Sequence, residues 1–156
     1  MPDIKTGTIE ITGLSELEKA LEAFPDRIAK NILSGAIRAG AVVMQQEARK
    51  LAPKSVQEHP MGRKGKKVIV QPGNLRKNIK VRLAPRKSRD VPIEYWVYVS
   101  TKAWYWRFPE FGTKKMSAKP FMRPAFNSRK QEALDRIKEY LAARIEKEAA
   151  KRGSVA

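Results

Sequence analysis

Between Pro25 and Pro53 the chain sets apolar residues three and four apart for more than twenty positions, without a proline to interrupt them. That run constrains the fold more than any other. Its spacing predicts one helix from about Pro25 to Leu51, roughly 27 residues and about 40 Å long at 1.5 Å per residue. Ile28, Ile32, Ala36, Ala39 and Val43 form one stripe; Leu33, Ile37, Gly40, Met44, Ala48 and Leu51 form the one beside it. Arg27, Lys30, Ser34, Arg38, Gln45 and Arg49 line the opposite side. An apolar face of this width exceeds what one small sheet covers. It calls for two neighbours, one of them a candidate second subunit. Pro25 suits the first helical turn, and the Ala52-Pro53 pair ends the helix, because a residue before proline resists the α region. Gly35 and Gly40 each weaken a helix interior by about 1 kcal/mol relative to alanine. A close helix contact would account for them; a modestly unstable helix is the other reading.

The remaining elements follow from shorter patterns. "TIEIT" alternates and reads as a strand broken by Gly13, after which Ser15 and Glu18 match a capping box for a helix reaching about Phe24. Residues 54–72 hold glycines, prolines and basic residues with little periodicity, apart from "KKVIV", which fits a short strand. A stretch of that kind reads as a mobile basic insertion. "GNLRKNIKVRLA" reads as a turn or short helix at Asn74–Lys77 followed by a strand with Ile79, Val81 and Leu83 on one side. "IEYWVYVS" is a second strand. Tyr95, Val97 and Val99 share one face and Trp96 and Tyr98 the other, so it is expected to be central and covered on both sides. A last helix is expected from Phe126 or Asn127 to about Arg152, with Asn127 or Ser128 as its N-cap, Leu134, Ile137, Leu141, Ile145 and Ala149 as its apolar stripe, and a frayed end at 153–156. Together these predict a single α+β domain over residues 1–156. It has a small, mostly antiparallel sheet packed by one long helix, and a C-terminal helix after an aromatic loop.

Charge is concentrated rather than spread. Of the net +17, residues 52–130 carry twenty basic and four acidic residues, net +16, while both flanks are nearly balanced. Such a region attracts nucleic acid or an acidic partner. Lys54, Arg63, Lys64, Lys66, Lys67, Arg76 and Lys77 are the candidate contacts. The chain has no cysteine, which excludes disulfides and thiolate zinc sites. The lone histidine, His59, has no carboxylate cluster beside it, so neither a metal nor a cofactor is expected. No G-x-S-x-G elbow and no glycine loop ending in Lys-Ser/Thr is present, and Glu110 is the one carboxylate of the basic region in an aromatic setting. Catalysis is not expected on this basis. The start of the chain lacks a signal-peptide pattern and no apolar run approaches the ~18 residues of a membrane helix, so no membrane contact is expected.

The stretch "WYWRFPEFGTKKMSAKPFMRPAF", Trp104 to Phe126, is dense in aromatic rings and prolines. Gly112 is placed to turn the chain with a positive φ. Glu110 is expected to pair with a cation such as Arg123. Phe111, Phe121 and Phe126 are the expected core anchors, with Pro120 and Pro124 as rigid extended turns. Trp104 and Trp106, beside Arg107, suit either packing or stacking on bases. Trp96, Tyr98, Trp104 and Trp106 are the candidate oligomer contacts.

This stretch resembles a motif of the bacteriophage neck and tail-completion family: a Tyr-rich segment, Glu-Phe-Gly-Thr, a short loop, Pro-Phe-x-x-Pro-Ala and a closing helix. The matching positions are Tyr105, Glu110, Phe111, Gly112, Thr113, Pro120, Phe121, Pro124 and Ala125. "GLSELEKALEAFP", "EARKLAPK" and "GNLRKNI" resemble that family's upstream blocks in the same order. Two departures stand out. Pro53 and Gly73 are separated by the basic insertion, and Pro109 sits where a helix continuing from Tyr105 to Phe111 would be broken. The resemblance implies a structural virion protein of the neck or tail, made in the bacterial host cytoplasm. It would act as a homo-oligomeric ring around the DNA passage. Its implied partners are itself, the head-closure or connector and tail-tube or tail-terminator proteins, and non-specifically the phage DNA. The second reading is a small basic nucleic-acid-binding protein.

Overall fold

The computed structural model describes residues 14–55, 59–62, 68–85 and 92–153. The elements, in chain order, are α1 (Leu14–Glu22), α2 (Asp26–Leu51), β1 (His59–Met61), β2 (Val68–Val70), α3 (Asn74–Lys77), β3 (Ile79–Leu83), β4 (Tyr95–Val99), a 3-10 helix (Thr101–Trp106), α4 (Arg107–Phe111) and α5 (Met122–Gly153). The fold is α+β: a small antiparallel sheet packs against a long helix, and a C-terminal helix packs on that helix. The expected strand at Thr8–Thr12, residues 86–91 between the two later strands, and the end at 154–156 lie outside the described residues.

α2 forms where its periodicity placed it. Pro25 flanks the helix instead of occupying its first turn, and its carbonyl accepts from Ile28 N (2.8 Å) and Ala29 N (3.1 Å). At the other end Ala52 takes the extended ψ of 132° that Pro53 imposes, while its N–H still reaches the Ala48 carbonyl at 2.9 Å. Ser15 is not the N-cap of α1, because Leu14 is already helical and places Ser15 inside the first turn.

α5 and the β3–β4 sheet take up much of the wide face of α2 within the chain, while Leu33, Ile37, Val43 and Met44 stay half-buried and Leu51 is 44% exposed. α5 covers one side and the β3–β4 sheet the other. Toward one end, Ile32, Ala36 and Leu141 are buried, with Leu17 and Leu21 of α1 and Ile145 of α5 against them. Toward the other, Ala48, Ala52, Val70, Leu75, Ile79, Ala103, Tyr105, Phe121 and Ala125 form a second core cluster. Both interior glycines of α2 face α5. A Cβ on Gly40 would meet Ile137 Cδ1 at 2.7 Å and the Ala133 carbonyl oxygen at 2.9 Å; one on Gly35 would enter the ring of Tyr140. The glycines therefore mark a close helix approach.

β3 and β4 pair antiparallel, with Ile79 opposite Val99, Val81 opposite Val97 and Leu83 opposite Tyr95 on the face toward α2. Polar bonds tie this face to the helix. Ser34 Oγ and Tyr95 Oη lie 2.9 Å apart, and Gln45 and Arg49 donate to the Ile79 carbonyl. β4 is not central: among the described residues it pairs with β3 alone. Its other face carries Trp96, Tyr98 and the opposing Lys80 and Arg82. The Arg82 guanidinium carbon sits 5.0 Å from the Trp96 ring and 4.9 Å from the Tyr98 ring. That stacking lets two large rings stand on an uncovered face. Within the basic insertion, β1 and β2 pair antiparallel, Pro60 opposite Ile69; only the second of these strands was signalled by the sequence pattern.

The tight α2–α5 crossing yields a test. Gly40→Ala should destabilise the protein by about 1–3 kcal/mol in urea unfolding, because overpacking against the Ala133 backbone outweighs the gain in helix propensity. A more stable Gly40→Ala variant would show that the crossing is looser than described.

Candidate functional site

The aromatic stretch is organised by one carboxylate. Glu110 is buried, and its Oε2 accepts from the backbone N–H of Phe121 (2.8 Å) and Met122 (3.1 Å), while Oε1 accepts from that of Arg123 (3.3 Å). The first intrahelical bond of α5 runs from Ala125 N to the Phe121 carbonyl, 3.2 Å. The four positions whose N–H groups a helix start leaves orphaned are thus Phe121 to Pro124. Glu110 takes three of them, and proline has no fourth to offer. A negative charge at the positive end of the helix macrodipole adds to these charge-assisted bonds.

Three expectations are corrected here. The helix starts at Met122, four residues before Phe126, so Asn127 and Ser128 lie inside it and neither caps it. Pro124 sits in the first helical turn and not in an extended one. Glu110 bonds the backbone of Arg123, not its guanidinium.

The chain must reverse between Glu110 and Phe121, and Gly112 begins the reversal with φ of 76°. Its N–H bonds the Phe108 carbonyl at 2.8 Å. A Cβ there would lie 3.0 Å from Ala118 N and 3.1 Å from the Met116 carbonyl oxygen, so the site excludes a side chain on two counts. Thr113 and Met116 exchange both backbone bonds, 2.8 and 3.2 Å, which closes a tight turn. Lys119 N then bonds the Pro109 carbonyl at 2.7 Å. Pro109 is the third residue of α4, where its missing N–H leaves no bond unmade. The helical path from Thr101 is broken earlier, at Ala103, whose φ of −120° and ψ of 46° are not helical, and it runs on through Trp106 into α4.

Of the three expected phenylalanine anchors, Phe121 alone is buried, at 0% exposure. Phe111 is 65% and Phe126 49% exposed. Phe111 follows the inward-facing Glu110 and points away from it, with its ring 6.2 Å from that of Trp106. Phe126 follows the buried Ala125 on α5 and faces outward. Tyr105 is buried, and its hydroxyl accepts from Asn74 Nδ2 at 3.1 Å. Ala125 is buried beside Phe121, while Thr113 and Pro120 lie on the surface.

The candidate contact residues fall along one side. Tyr98, Trp104 and Trp106 line a groove of about 610 Å³, together with Val97, Arg107 and Met122. Trp104 is 49% exposed and holds Tyr105 and Phe108 in edge-to-face contacts, at 6.2 and 5.7 Å between ring centroids. Trp96, 42% exposed, stands two residues from Tyr98 on the outer sheet face. The candidate basic contacts are less unified. Arg76 Nε and Nη2 donate to the Ala52 and Lys50 carbonyls (2.7 and 3.2 Å), so its guanidinium secures the end of α2. Lys54 and Lys77 are exposed, and Arg63, Lys64, Lys66 and Lys67 lie outside the described residues. On the opposite flank Arg129 bridges Glu132 and Glu47, whose carboxylates raise its pKa and link α5 to α2.

Among the described residues no group of three or more acidic or histidine side chains is placed to hold a metal, and no helix is long and apolar enough to cross a membrane. The family model for bacteriophage HK97-gp10, putative tail-component, matches residues 15–112. The match takes in Glu110, Phe111 and Gly112. No curated protein and no solved structure matches the chain.

Two substitutions test this geometry. Phe121→Ala should lower stability by about 3–5 kcal/mol, as expected for a fully buried ring. Gly112→Ala should lower it by about 1–3 kcal/mol from backbone strain alone, because φ of 76° with ψ of 176° is a conformation essentially reserved for glycine, with crowding against Ala118 added. Thermal or urea melts report both, and unchanged melts would place the loop on the surface.

Proposed function

The chain belongs to the bacteriophage HK97-gp10 tail-component family, and from that premise we propose that it works at the head–tail junction, as a neck or tail-completion protein assembled into a homo-oligomeric ring around the DNA passage. As a member of that family it is a structural tail component, and its place is the virion. In this reading residues 1–156 act as one domain, without enzymatic activity and without a membrane partner, after synthesis in the host cytoplasm. Its neighbours are other copies of itself, the head-closure or connector protein and the tail-tube or tail-terminator protein.

The observation that carries the proposal is the set of exposed rings, Trp96, Trp104, Phe108 and Phe111: Trp104 lines the groove with Trp106 and Tyr98, Phe108 meets Trp104, and Phe111 meets Trp106. A monomer rarely leaves so many large apolar side chains grouped on one side without a partner for them, and tryptophan is enriched where proteins meet. Rings arise when one surface of a subunit meets a different surface of the next and the rotation closes. Tyr98, Trp104 and Trp106 are the contact residues in this reading. Lys54 and Lys77, both exposed, are the candidate contacts for DNA or an acidic neighbour in this reading, and Arg63, Lys64, Lys66 and Lys67 add to the same basic stretch of sequence.

A second reading, a small basic nucleic-acid-binding protein, is favoured by the net +16 of residues 52–130. Salt separates the two. Ring assembly driven by apolar burial should survive moderate salt, which screens exposed charges. Affinity for DNA as the specific ligand should fall steeply with salt, in proportion to the phosphates contacted. Light scattering and negative-stain microscopy, on the protein alone and mixed with neck-deficient phage particles, should show closed rings or joined particles at low and at moderate salt alike. Trp104→Ala should reduce that assembly with little change in the melt. A strict monomer that joins neither heads nor tails, yet binds short DNA tightly at moderate salt, would favour the second reading.

A further inference from the structure

The two edges of the β3–β4 sheet are not alike. Ser100 N donates to the Asn78 carbonyl and Ala84 N to that of Glu94, each at 2.9 Å. These bonds set the phase of the ladder. Lys80 with Tyr98 and Arg82 with Trp96 are the hydrogen-bonded pairs, and the backbone groups of Tyr95, Val97 and Val99 point away from β3. By the same rule Ile79, Val81 and Leu83 point outward on the far edge. There α2 intervenes: Gln45 Nε2 and Arg49 Nη2 each donate to the Ile79 carbonyl at 2.8 Å. Among the described residues nothing comparable reaches the backbone of β4. Its outward row of donors and acceptors runs instead beside the groove walled by Trp104, Trp106 and Met122.

We propose that this edge and groove bind an extended acidic segment of another protein as an added β-strand. An incoming strand would lie about 4.8 Å from β4, with alternate side chains on the two sheet faces. One set would meet the groove walls. The other would stand beside Trp96, Tyr98 and the stacked Arg82. The charges at hand are positive: Lys80, Arg82, Lys102 and Arg107 are all exposed. Of the two nearby acids, Glu94 precedes β4, and Glu110 is committed to the cap of α5. A second copy of β4, Tyr-Trp-Val-Tyr-Val, carries no acid of its own and would gather a second set of these cations around the same joined sheet, leaving their charge without a partner. An alternating apolar and acidic segment satisfies the bonds, the groove and the charge together. The inference needs neither a ring nor DNA.

The test uses the full chain and an end-blocked peptide Glu-Val-Glu-Val-Glu-Val-Glu. Controls are its Lys-for-Glu counterpart and a block peptide of the same composition, Glu-Glu-Glu-Glu-Val-Val-Val. Fluorescence anisotropy should show binding of the alternating acidic peptide alone. Val97→Pro removes one outward N–H while leaving the ladder to β3 intact, and should weaken binding about tenfold, the scale of one interface hydrogen bond. Trp104→Ala, which leaves the strand untouched, should weaken it as well. By NMR, the amides of Tyr95, Val97 and Val99 should exchange fast in the free chain and slow on peptide addition, with Trp96 and Tyr98 protected throughout. Equal binding of the block peptide would reduce the site to charge alone. Protected edge amides in the free chain would mean that the chain occupies its own edge. Protection that rises with protein concentration would assign the edge to a second copy. Each of these overturns the proposal.

Discussion

A single buried carboxylate ties the aromatic loop to the C-terminal helix. Glu110 holds the first three N–H groups of α5, and Pro124 supplies none, so the helix start is satisfied without a residue of its own. Because the helix begins at Met122, Phe121 is delivered into the cluster with Ile79, Tyr105 and Ala125. The same bond fixes where α4 sits, and with it Trp104, Trp106 and Phe111 on the outside. Burying the carboxylate is tolerable only because its oxygens meet three donors and a helix dipole. The geometry of the surface rings therefore depends on the chemistry of one inner residue.

α2 plays the complementary role. Among the described residues it packs extensively against both α5 and the sheet, and its small residues set how closely they come. Gly40 and Gly35 admit Ile137 and Tyr140, while Ser34, Gln45 and Arg49 fasten β3 and β4 by polar bonds. Gln45 and Arg49 also reach the outer edge of β3, whereas among the described residues no such bond reaches the outer edge of β4.

Local features of this arrangement were legible in the sequence. Pro25 and Pro53 bracket α2 because proline acts on its own neighbours, and Ile79, Val81 and Leu83 alternate because the strand period is two. Gly112 was placed at a positive φ from its position after Phe111. Features set by distant partners were misread. Asn127 and Ser128 look like N-caps, yet the cap comes from a residue twelve positions before the first residue of the helix, and no local pattern signals that. The paired motifs Glu-Phe-Gly-Thr and Pro-Phe-x-x-Pro-Ala contained the information, since the first supplies the carboxylate and the second the helix start it holds. Tyr95–Val99 resembles a strand buried on both faces. The ring-stacked Arg82 that makes its outer face tolerable becomes visible only once the register with β3 is known. How the wide face of α2 is shared between its neighbours was not legible, because the position of α5 cannot be read from α2.

The account rests on Glu110, and the stability of Glu110→Ala against urea tests it most directly. Losing an acceptor shared by three buried or half-buried N–H groups should cost about 3 kcal/mol or more. Amide exchange should then locate the damage, with protection lost from Phe121 through the first turn of α5 and kept in the middle of α2. A variant within about 0.5 kcal/mol of the parent, the range of an ordinary surface substitution, with the first turn of α5 still protected, would contradict the account.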